Sequence, residues 1–193
     1  MAGVPGHAAG IPGACGAASA NFPAVTSAVS IRPARTSDLP AILAIYNRSV
    51  ATETASFDLE PATLSNREAW LAAHGGDFPV LVTEIDGSVA GYASLSHYNP
   101  KPAYDITAEF SVYVAEDFRR QGVARVLSEA ILELARAGNL VTVVSLVTSE
   151  NVASLHLHER LGFREVGTLH RSGRKFGRLL DVTFLELDVS SGG

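Results

Sequence analysis

The chain has 193 residues, a length that suits a single domain, and its formal net charge of −5 disfavours a general nucleic-acid-binding role. Residues 1–30 carry no Lys, Arg, Asp or Glu, and more than half of them are Ala, Gly or Pro. This composition predicts a flexible tail, or a start codon placed too far upstream. The stretch has neither the basic segment nor the long apolar run that is typical of a signal peptide or membrane anchor. The only cysteine, Cys15, lies there, which excludes an internal disulfide, disfavours a thiolate metal site and favours the cytoplasm.

Strands and helices alternate between residues 31 and 189, and residues 190–193 form a short second tail. The predicted strands are 31–34, 79–85, 88–96, 109–114, 140–147, 164–169 and 180–188, and Asp86-Gly87 is the turn of the clearest hairpin. Four helices are predicted. The first follows the start signal at 36–40, the second lies within 61–74, the third follows Gly122, and the fourth spans 151–161. The pattern predicts one α/β domain in which helices flank a mixed sheet.

The most informative segment links the strand at 109–114 to the helix after Gly122. It reads Arg119-Arg120-Gln121-Gly122-Val123-Ala124 and is followed by Arg125. A turn that opens a helix leaves N–H groups unpaired at the positive end of the helix dipole, where a phosphate group is favoured. Gly122 lets the backbone approach an anion closely, and the arginines add charge. The alternative is an ordinary strand-to-helix turn with solvated arginines.

A second segment follows about 30 residues later, at 151–163. Asn151 is a suitable N-cap, Ser154 follows three residues on, and the helix ends in Leu161-Gly162-Phe163. Taken alone, these are common features of helix ends. Together and in this order, the two segments resemble the signatures of the GNAT acetyltransferase superfamily.

The resemblance implies the GNAT fold, a mixed, mostly antiparallel sheet whose parallel fourth and fifth strands, here 109–114 and 140–147, splay apart. It implies acetyl-coenzyme A as co-substrate, with its diphosphate on the turn and its pantetheine arm on the fourth strand, and it implies no metal. The implied cofactor-binding residues are Val112, Tyr113, Val114, Arg119, Arg120, Gln121, Gly122, Val123, Ala124, Arg125 and Asn151. The alternative for 112–114 is a plain core strand.

Further segments resemble the phosphinothricin and methionine sulfone/sulfoximine acetyltransferase branch over about residues 31–188. They are Ile31-Arg32-Pro33-Ala34, Ile45-Tyr46-Asn47, Tyr104-Asp105, 109–114, Leu155-His156-Leu157-His158 and Lys175-Phe176-Gly177-Arg178. The branch acetylates the α-amino group of small amino-acid-like compounds and is typically dimeric. The resemblance therefore implies an N-acetyltransferase with a small-molecule amine as partner, as a homodimer, with no nucleic acid or membrane.

Two residues are candidates for proton transfer. Glu109 lies three residues before the cofactor-binding backbone, and a carboxylate there can remove the proton from an attacking ammonium group. The branch uses a Glu at this position; the alternative is a structural carboxylate paired with Arg or Lys. His158 stands seven residues after Asn151, where many superfamily members have a Tyr that protonates the departing thiolate. The alternative is a satisfied core histidine.

The resemblance also implies that Phe57, Lys101 and Tyr104 bind the substrate. Lys101 stands where the phosphinothricin enzymes carry Arg, and Asn99 stands where they carry a second cation. Each can equally be a surface or packing residue. Two other functions stay open: acetylation of a protein or peptide amine, and a non-catalytic acyl-coenzyme A sensor, which would need neither Glu109 nor His158.

Overall fold

The computed structural model describes residues 29–190, and the elements follow the predicted order. The strands are β1 Val29–Pro33, β2 Val80–Ile85, β3 Ser88–His97, β4 Thr107–Val114, β5 Thr142–Thr148, β6 Arg164–Lys175 and β7 Arg178–Asp188. The helices are α1 Leu39–Thr52, α2 Leu64–Ala72, α3 Val123–Ala137 and α4 Val152–Arg160. Within the described range, none of the helices is both long enough and apolar enough to span a membrane. Of the tails predicted at 1–30 and 190–193, residues 1–28 and 191–193 lie outside the described residues.

The seven strands form one sheet in the order β1-β2-β3-β4-β5-β7-β6. Every neighbouring pair is antiparallel except β4 and β5, which run parallel and pair only from Thr107–Glu109 to Thr142–Val144. The predicted mixed, mostly antiparallel sheet with parallel fourth and fifth strands is confirmed. The short β4–β5 pairing matters for function, because both strands continue beyond it without pairing to each other.

Several strand bounds differ from the predicted ones. β1 begins at Val29, two residues before the predicted start of the domain, and Val29 and Ser30 pair with Ile85 and Glu84 of β2. β6 runs to Lys175 and β7 starts at Arg178, so the two strands form a longer hairpin than expected. The sequence hides this hairpin because residues 170–175 are mostly polar and exposed, and they lack the alternation that marks a half-buried strand.

Helices cover both faces of the sheet. On one face, α3 packs across β2, β3 and β4, and its Leu127 and Ile131 are fully buried in the main core with Leu95 and Phe110. Each such side chain contributes about 1.5–3 kcal/mol through burial. Gly91 of β3 is crowded by both the neighbouring strand and the helix, because a Cβ atom there would lie 2.8 Å from the Tyr113 carbonyl oxygen of β4 and 3.2 Å from Val123 of α3. A glycine is therefore required at this crossing.

The opposite face carries α1 and α2 over a smaller core formed by Ile42, Val80, Val82 and Tyr92, against which Trp70 packs. Because side chains alternate along a strand, Glu109, Ser111 and Tyr113 of β4 point to this α1–α2 face. Their cross-strand partners on β3 are, in order, Ser96, Ser94 and Tyr92. The fold thus places a row of polar side chains beneath α1 and α2.

A partly buried ion pair fixes the start of α1. Arg32 of β1 donates to both carboxylate oxygens of Asp38, at 2.7 and 2.9 Å, and its Nε donates to Glu84 at 2.6 Å. The Arg35 backbone N–H donates to the same carboxylate at 2.7 Å. The hydrogen bonds from Arg32 lower the pKa of Asp38, although burial acts in the opposite direction. The pair holds the helix that carries Tyr46 into the site described below.

Candidate active site

The parallel strands β4 and β5 separate at Glu109, which pairs with Val144 in the last register position that the two strands share. β4 continues to Val114 and stays paired with β3 along its other edge. The Ala115 N–H donates to the Ala90 carbonyl at 2.9 Å, so alternation directs the backbone groups of Val112 and Val114 away from β3 and into the gap. An extended ligand can pair with such an open strand edge.

A cavity of about 300 Å³ occupies this gap. Six of the predicted cofactor-binding residues line it, and they are Val112, Tyr113, Val114, Arg119, Ala124 and Asn151. We call it the cofactor cavity. Val123 does not line it, since its side chain is buried in the main core. Arg120, Gln121, Gly122 and Arg125 are exposed beside it at the start of α3.

The turn before α3 has the geometry of an anion site. Arg120 and Gly122 both have left-handed backbone conformations, with φ of 60° and 84°. No side chain caps the helix, and its first i to i−4 hydrogen bond runs from the Val126 N–H to the Gly122 carbonyl at 3.1 Å. The N–H groups of residues 123–125 therefore have no partner within the helix. Unpaired N–H groups at the positive end of a helix suit a diphosphate.

Arg119 is held in place by the protein itself. Its Nε donates to the Val114 carbonyl at 3.3 Å, and its Nη2 forms an ion pair with Glu53. The Gln121 amide donates to the Asp117 carbonyl at 2.9 Å. These contacts fix the shape of the turn, and they leave Arg120 as the arginine of the turn without an ion pair among the described residues.

Asn151 caps α4, because its side-chain oxygen accepts a hydrogen bond from the Ser154 N–H at 3.2 Å. Its side-chain amino group makes no hydrogen bond to the described part of the chain and lies in the wall of the cofactor cavity. The predicted cap and the predicted ligand contact are therefore compatible. The oxygen holds the helix while the amino group is available to a carbonyl of the bound molecule.

His158 lies in the same wall and is only 2% exposed. Its Nδ1 is 2.8 Å from the Ser154 carbonyl, and burial against Phe110 and Phe163 lowers its pKa. The ring is thus neutral at pH 7 with its proton on Nδ1, where the carbonyl accepts it. The Nε2 atom is buried and has no partner among the described residues. This tautomer carries no proton on Nε2 to give to a thiolate.

A second, larger cavity of about 540 Å³ lies on the α1–α2 face of the sheet. We call it the acceptor cavity. It shares five wall residues with the cofactor cavity, namely Ala55, Ser111, Tyr113, Leu146 and Thr148. Its volume falls within the range of small-molecule sites, and its walls combine aromatic rings with hydroxyl groups. The two cavities meet where β4 and β5 separate.

Glu109 lines the acceptor cavity at that meeting point. It makes no ion pair and no side-chain hydrogen bond to the described residues, and partial burial raises its pKa. A structural carboxylate of a folded protein is normally paired, since burying an unpaired charge is costly. The geometry therefore disfavours the structural alternative for Glu109. A raised pKa also brings a carboxylate closer to the value that suits a general base at neutral pH.

The structure separates the three predicted substrate residues. Phe57 lines the acceptor cavity and lies against Gly173 of β6, where a Cβ atom would be 2.1 Å from its ring. Lys101 and Tyr104 line neither cavity. Tyr104 is 41% exposed and packs edge-on against Tyr98 at 5.6 Å, and Lys101 is exposed. Within this chain, Lys101 and Tyr104 are not brought together with Glu109.

Sequence reasoning missed several residues of the acceptor cavity. The Tyr46 hydroxyl donates to Asp58 at 2.5 Å and lies 3.1 Å from the Ser56 hydroxyl, which holds the loop after α1 against the cavity. Lys175 does not line the cavity, but it is buried and supports the wall residue Ser56 by donating to its carbonyl at 2.5 Å. Arg67 and Trp70 enter from α2. Spacing on α2 could have revealed this last pair, because residues three apart share a helix face.

The family comparison agrees with this geometry. The chain belongs to the acetyltransferase (GNAT) family, whose model matches residues 42–163. It is 44% identical over 162 residues to the L-methionine sulfoximine/L-methionine sulfone acetyltransferase of Pseudomonas paraeruginosa, and the aligned region covers 83% of this chain and 94% of that protein. It is 40% identical to the phosphinothricin N-acetyltransferase of Alcaligenes faecalis, over 86% of this chain and 85% of the relative.

A solved structure gives the same result for the fold. A putative acetyltransferase from Salmonella typhimurium, solved with its cofactor acetyl-CoA, superimposes with a TM-score of 0.83 at 35% identity and covers 86% of this chain and 97% of that chain. The predicted superfamily, its fold and the predicted N-acetyltransferase class are thereby confirmed.

Proposed function

We propose that this enzyme transfers the acetyl group of acetyl-coenzyme A to the α-amino group of a small amino-acid-like substrate, with methionine sulfone, methionine sulfoximine and phosphinothricin as model compounds. One observation carries the proposal. Glu109 is a carboxylate without a partner among the described residues, and it lies at the point where the cofactor cavity meets the acceptor cavity. The relatives named for these compounds support the choice of substrate class.

The cofactor cavity fits coenzyme A by the chemistry of its walls. The turn at 119–125 would hold the diphosphate, the open backbone of Val112 and Val114 would pair with the pantetheine amides, and Asn151 would donate to a pantetheine carbonyl. When bound there, the thioester supplies an activated acetyl group. No metal is needed for this chemistry, because an amine attacks a thioester readily once it has lost its proton.

Glu109 removes that proton. An α-amino group is largely protonated at neutral pH, and its lone pair becomes available only when a base accepts the proton. The nitrogen then attacks the carbonyl carbon to form the C–N bond. As the C–S bond breaks, the nitrogen loses its second proton, and the sulfur leaves as a thiolate that takes up a proton. Among the described residues of the acceptor cavity, the Ser96 hydroxyl lies 3.0 Å from Nε2 of His74. Because Glu109 can activate the amine itself, we propose a direct transfer without an acyl-enzyme.

We propose a smaller part for His158 than for Glu109. The resemblance implies that it protonates the thiolate, but its proton lies on Nδ1 in a hydrogen bond to the Ser154 carbonyl. A thiolate is also a fairly good leaving group and can be protonated by water. His158 therefore acts mainly by packing the end of the cofactor cavity between Phe110 and Phe163.

We further propose that the enzyme works in the cytoplasm as a homodimer. β6 is the outer strand of the sheet, so one of its edges is unpaired, and Val166 and Leu169 on it are exposed together with Phe176 in the following turn. An open edge with apolar side chains favours association with a second copy. Sedimentation equilibrium is expected to give twice the chain mass, whereas a monomer at micromolar concentration would contradict this part of the proposal.

Acetylation of a protein amine is the alternative within the enzyme class. An assay of initial rates of coenzyme A release distinguishes acetylation of a small amino-acid-like substrate from acetylation of a protein amine. The compounds, at equal concentration, are L-methionine sulfone, L-methionine sulfoximine, L-phosphinothricin and short peptides. We expect the free amino-acid analogues to be turned over at rates well above those of the peptides. Preference for a peptide would reject the small-molecule proposal, and tight binding of acetyl-coenzyme A without any turnover would favour the sensor.

A further inference from the structure

Arg67 lies in the wall of the acceptor cavity, and it is the only Arg or Lys among the described residues that line that cavity. It projects from the middle of α2, three residues before Trp70. The other charged residues of the wall are the two carboxylates Asp58 and Glu109. A single cation in a cavity built for an amino-acid-like molecule raises the question of what it binds.

The guanidinium group of Arg67 has no partner in the described part of the chain. It takes part in none of the ion pairs or side-chain hydrogen bonds, and its Nε is buried without a partner. Leaving a buried donor unsatisfied costs about 1–3 kcal/mol, and more for a charged group. Asp58, one of the two acidic residues of the wall, instead accepts a hydrogen bond from the Tyr46 hydroxyl.

Aromatic rings fix the position of this cation. The Arg67 guanidinium carbon lies 3.7 Å from the centre of the Tyr46 ring and 5.2 Å from the centre of the Trp70 ring. Tyr46 is itself held by Ser56 and Asp58, and Trp70 packs edge-on against Tyr92 at 6.0 Å. The stacking keeps the planar group in one orientation, so little conformational entropy is lost when it binds an anion.

We propose that Arg67 binds the α-carboxylate of the substrate and so selects amino acids over simple amines. The inference rests on the proposed function and names the group that would orient its substrate. A carboxylate accepts two parallel hydrogen bonds from a guanidinium group, and this bidentate contact fixes the direction of the Cα–N bond as well as the position of the molecule. Anchoring at Arg67 leaves the ammonium group to Glu109 in the same cavity.

This assignment differs from the one that the resemblance implies for Lys101. Lys101 is exposed and lies outside both cavities, while Arg67 lies inside the acceptor cavity with Glu109. An exposed lysine attracts an anion only as a screened point charge. A partly buried, unpaired guanidinium group is the stronger carboxylate ligand of the two.

The test compares one substrate with and without its carboxylate. L-methionine sulfone and its decarboxylated analogue 3-(methylsulfonyl)propylamine are assayed for kcat/KM, and the ratio of the two values is the readout. Wild-type enzyme is expected to favour the amino acid by about 10- to 100-fold, the effect typical of a charge-assisted hydrogen-bonding contact. Arg67→Met is expected to reduce this ratio to near one, mainly by lowering kcat/KM for the amino acid.

Two further variants keep the test decisive. Arg67→Lys retains the charge without the fork and is expected to give an intermediate ratio, which also covers the case in which Arg67→Met does not fold. Arg136→Met is the matched control, because Arg136 is a partly exposed residue of α3 that pairs with Glu133 at 2.8 Å and lines neither cavity. It is expected to keep the wild-type ratio.

The proposal is overturned if the wild-type ratio of the two kcat/KM values is near one, or if the Arg67 variants lose kcat/KM equally for both compounds. It is also overturned if Lys101→Met abolishes the preference for the amino acid while Arg67→Met keeps it. Failure of the proposed function looks different. In that case wild-type enzyme acetylates neither compound, although acetyl-coenzyme A still binds in calorimetry.

Discussion

Replacing Glu109 with Gln separates catalysis from stability. The substitution removes the carboxylate that is proposed to take the ammonium proton, and it keeps the size of the side chain. A general base typically contributes about 10²–10⁴-fold in rate, which corresponds to about 2.7–5.4 kcal/mol of transition-state free energy. We expect kcat to fall within this range. The dissociation constant of acetyl-coenzyme A should stay unchanged, because Glu109 lines the acceptor cavity and not the cofactor cavity.

The same substitution should stabilise the fold at neutral pH. Burial raises the pKa of Glu109 above that of an unfolded chain, so ionised Glu109 favours the unfolded state. This cost is absent below the unfolded pKa and develops as the pH rises through the raised folded pKa. The melting temperature of Glu109→Gln should therefore exceed that of wild type at pH 8, and the difference should vanish near pH 4.

The assays are stopped-flow or plate measurement of thiol release, calorimetric titration with acetyl-coenzyme A, and thermal melts from pH 4 to 9. The catalytic loss should also shrink at high pH, where a growing fraction of the amine has lost its proton without help. Equal rates for wild type and Glu109→Gln across the pH range would show that Glu109 is not the base. A lower melting temperature of the variant at pH 8 would show that Glu109 has a structural partner.

Four other predictions concern the cofactor turn, His158, the partly buried ion pair and the N-terminal tail. Gly122→Val should weaken acetyl-coenzyme A binding by at least about 10-fold in calorimetry, because a β-branched residue is strained at a φ of 84°; unchanged affinity in a folded variant would remove the turn from the site. His158→Phe should lower kcat by less than about 10-fold, and a loss of the size expected for Glu109→Gln would restore its role as an acid. Asp38→Asn should lower the free energy of unfolding by about 2–4 kcal/mol at pH 7, as measured by urea titration. The difference between the variant and wild type should narrow as the pH falls through the lowered pKa of Asp38. Deleting residues 1–28 should leave the melting temperature unchanged in calorimetry, whereas a large decrease would show that this segment packs on the domain.

Much of the fold was predictable because local patterns and global fold agree in this chain. The Asp86-Gly87 turn between two alternating runs forms the expected hairpin, and α3 begins directly after Gly122 as expected. The long β6–β7 hairpin was not predictable from periodicity. The positions that the outer half of this hairpin turns toward the protein, Gly173 and Lys175, carry no apolar side chain, so burial imposes no hydrophobic alternation on residues 170–175.

The two halves of the site differed in how far the sequence could predict them. Cofactor contacts come from consecutive residues and from backbone groups, so short segments such as 119–125 and 151–154 carry the signal. The acceptor cavity is assembled from side chains far apart in the chain. Arg67 and Glu109 are 42 positions apart. The packing of α2 on α1, and of Trp70 on Tyr92 of β3, brings both into one cavity.

Substrate contacts inferred from resemblance need the same geometric test. Phe57 lies in the acceptor cavity, but Lys101 and Tyr104 lie in the loop before β4, outside it. A matched position in a sequence fixes the place of a residue along the chain. The direction of its side chain depends on the local turn, which is set here by a single 3-10 turn at Pro102–Tyr104.

Steady-state kinetics with L-methionine sulfone and acetyl-coenzyme A test the central proposal most directly. Thiol release is followed as a function of amino-acid concentration, and the product is identified by mass spectrometry. We predict saturable release of coenzyme A and one acetyl group on the α-nitrogen, both lost to the expected extent in Glu109→Gln. Tight binding of acetyl-coenzyme A with no acetylation of L-methionine sulfone, L-methionine sulfoximine or L-phosphinothricin would contradict the proposal.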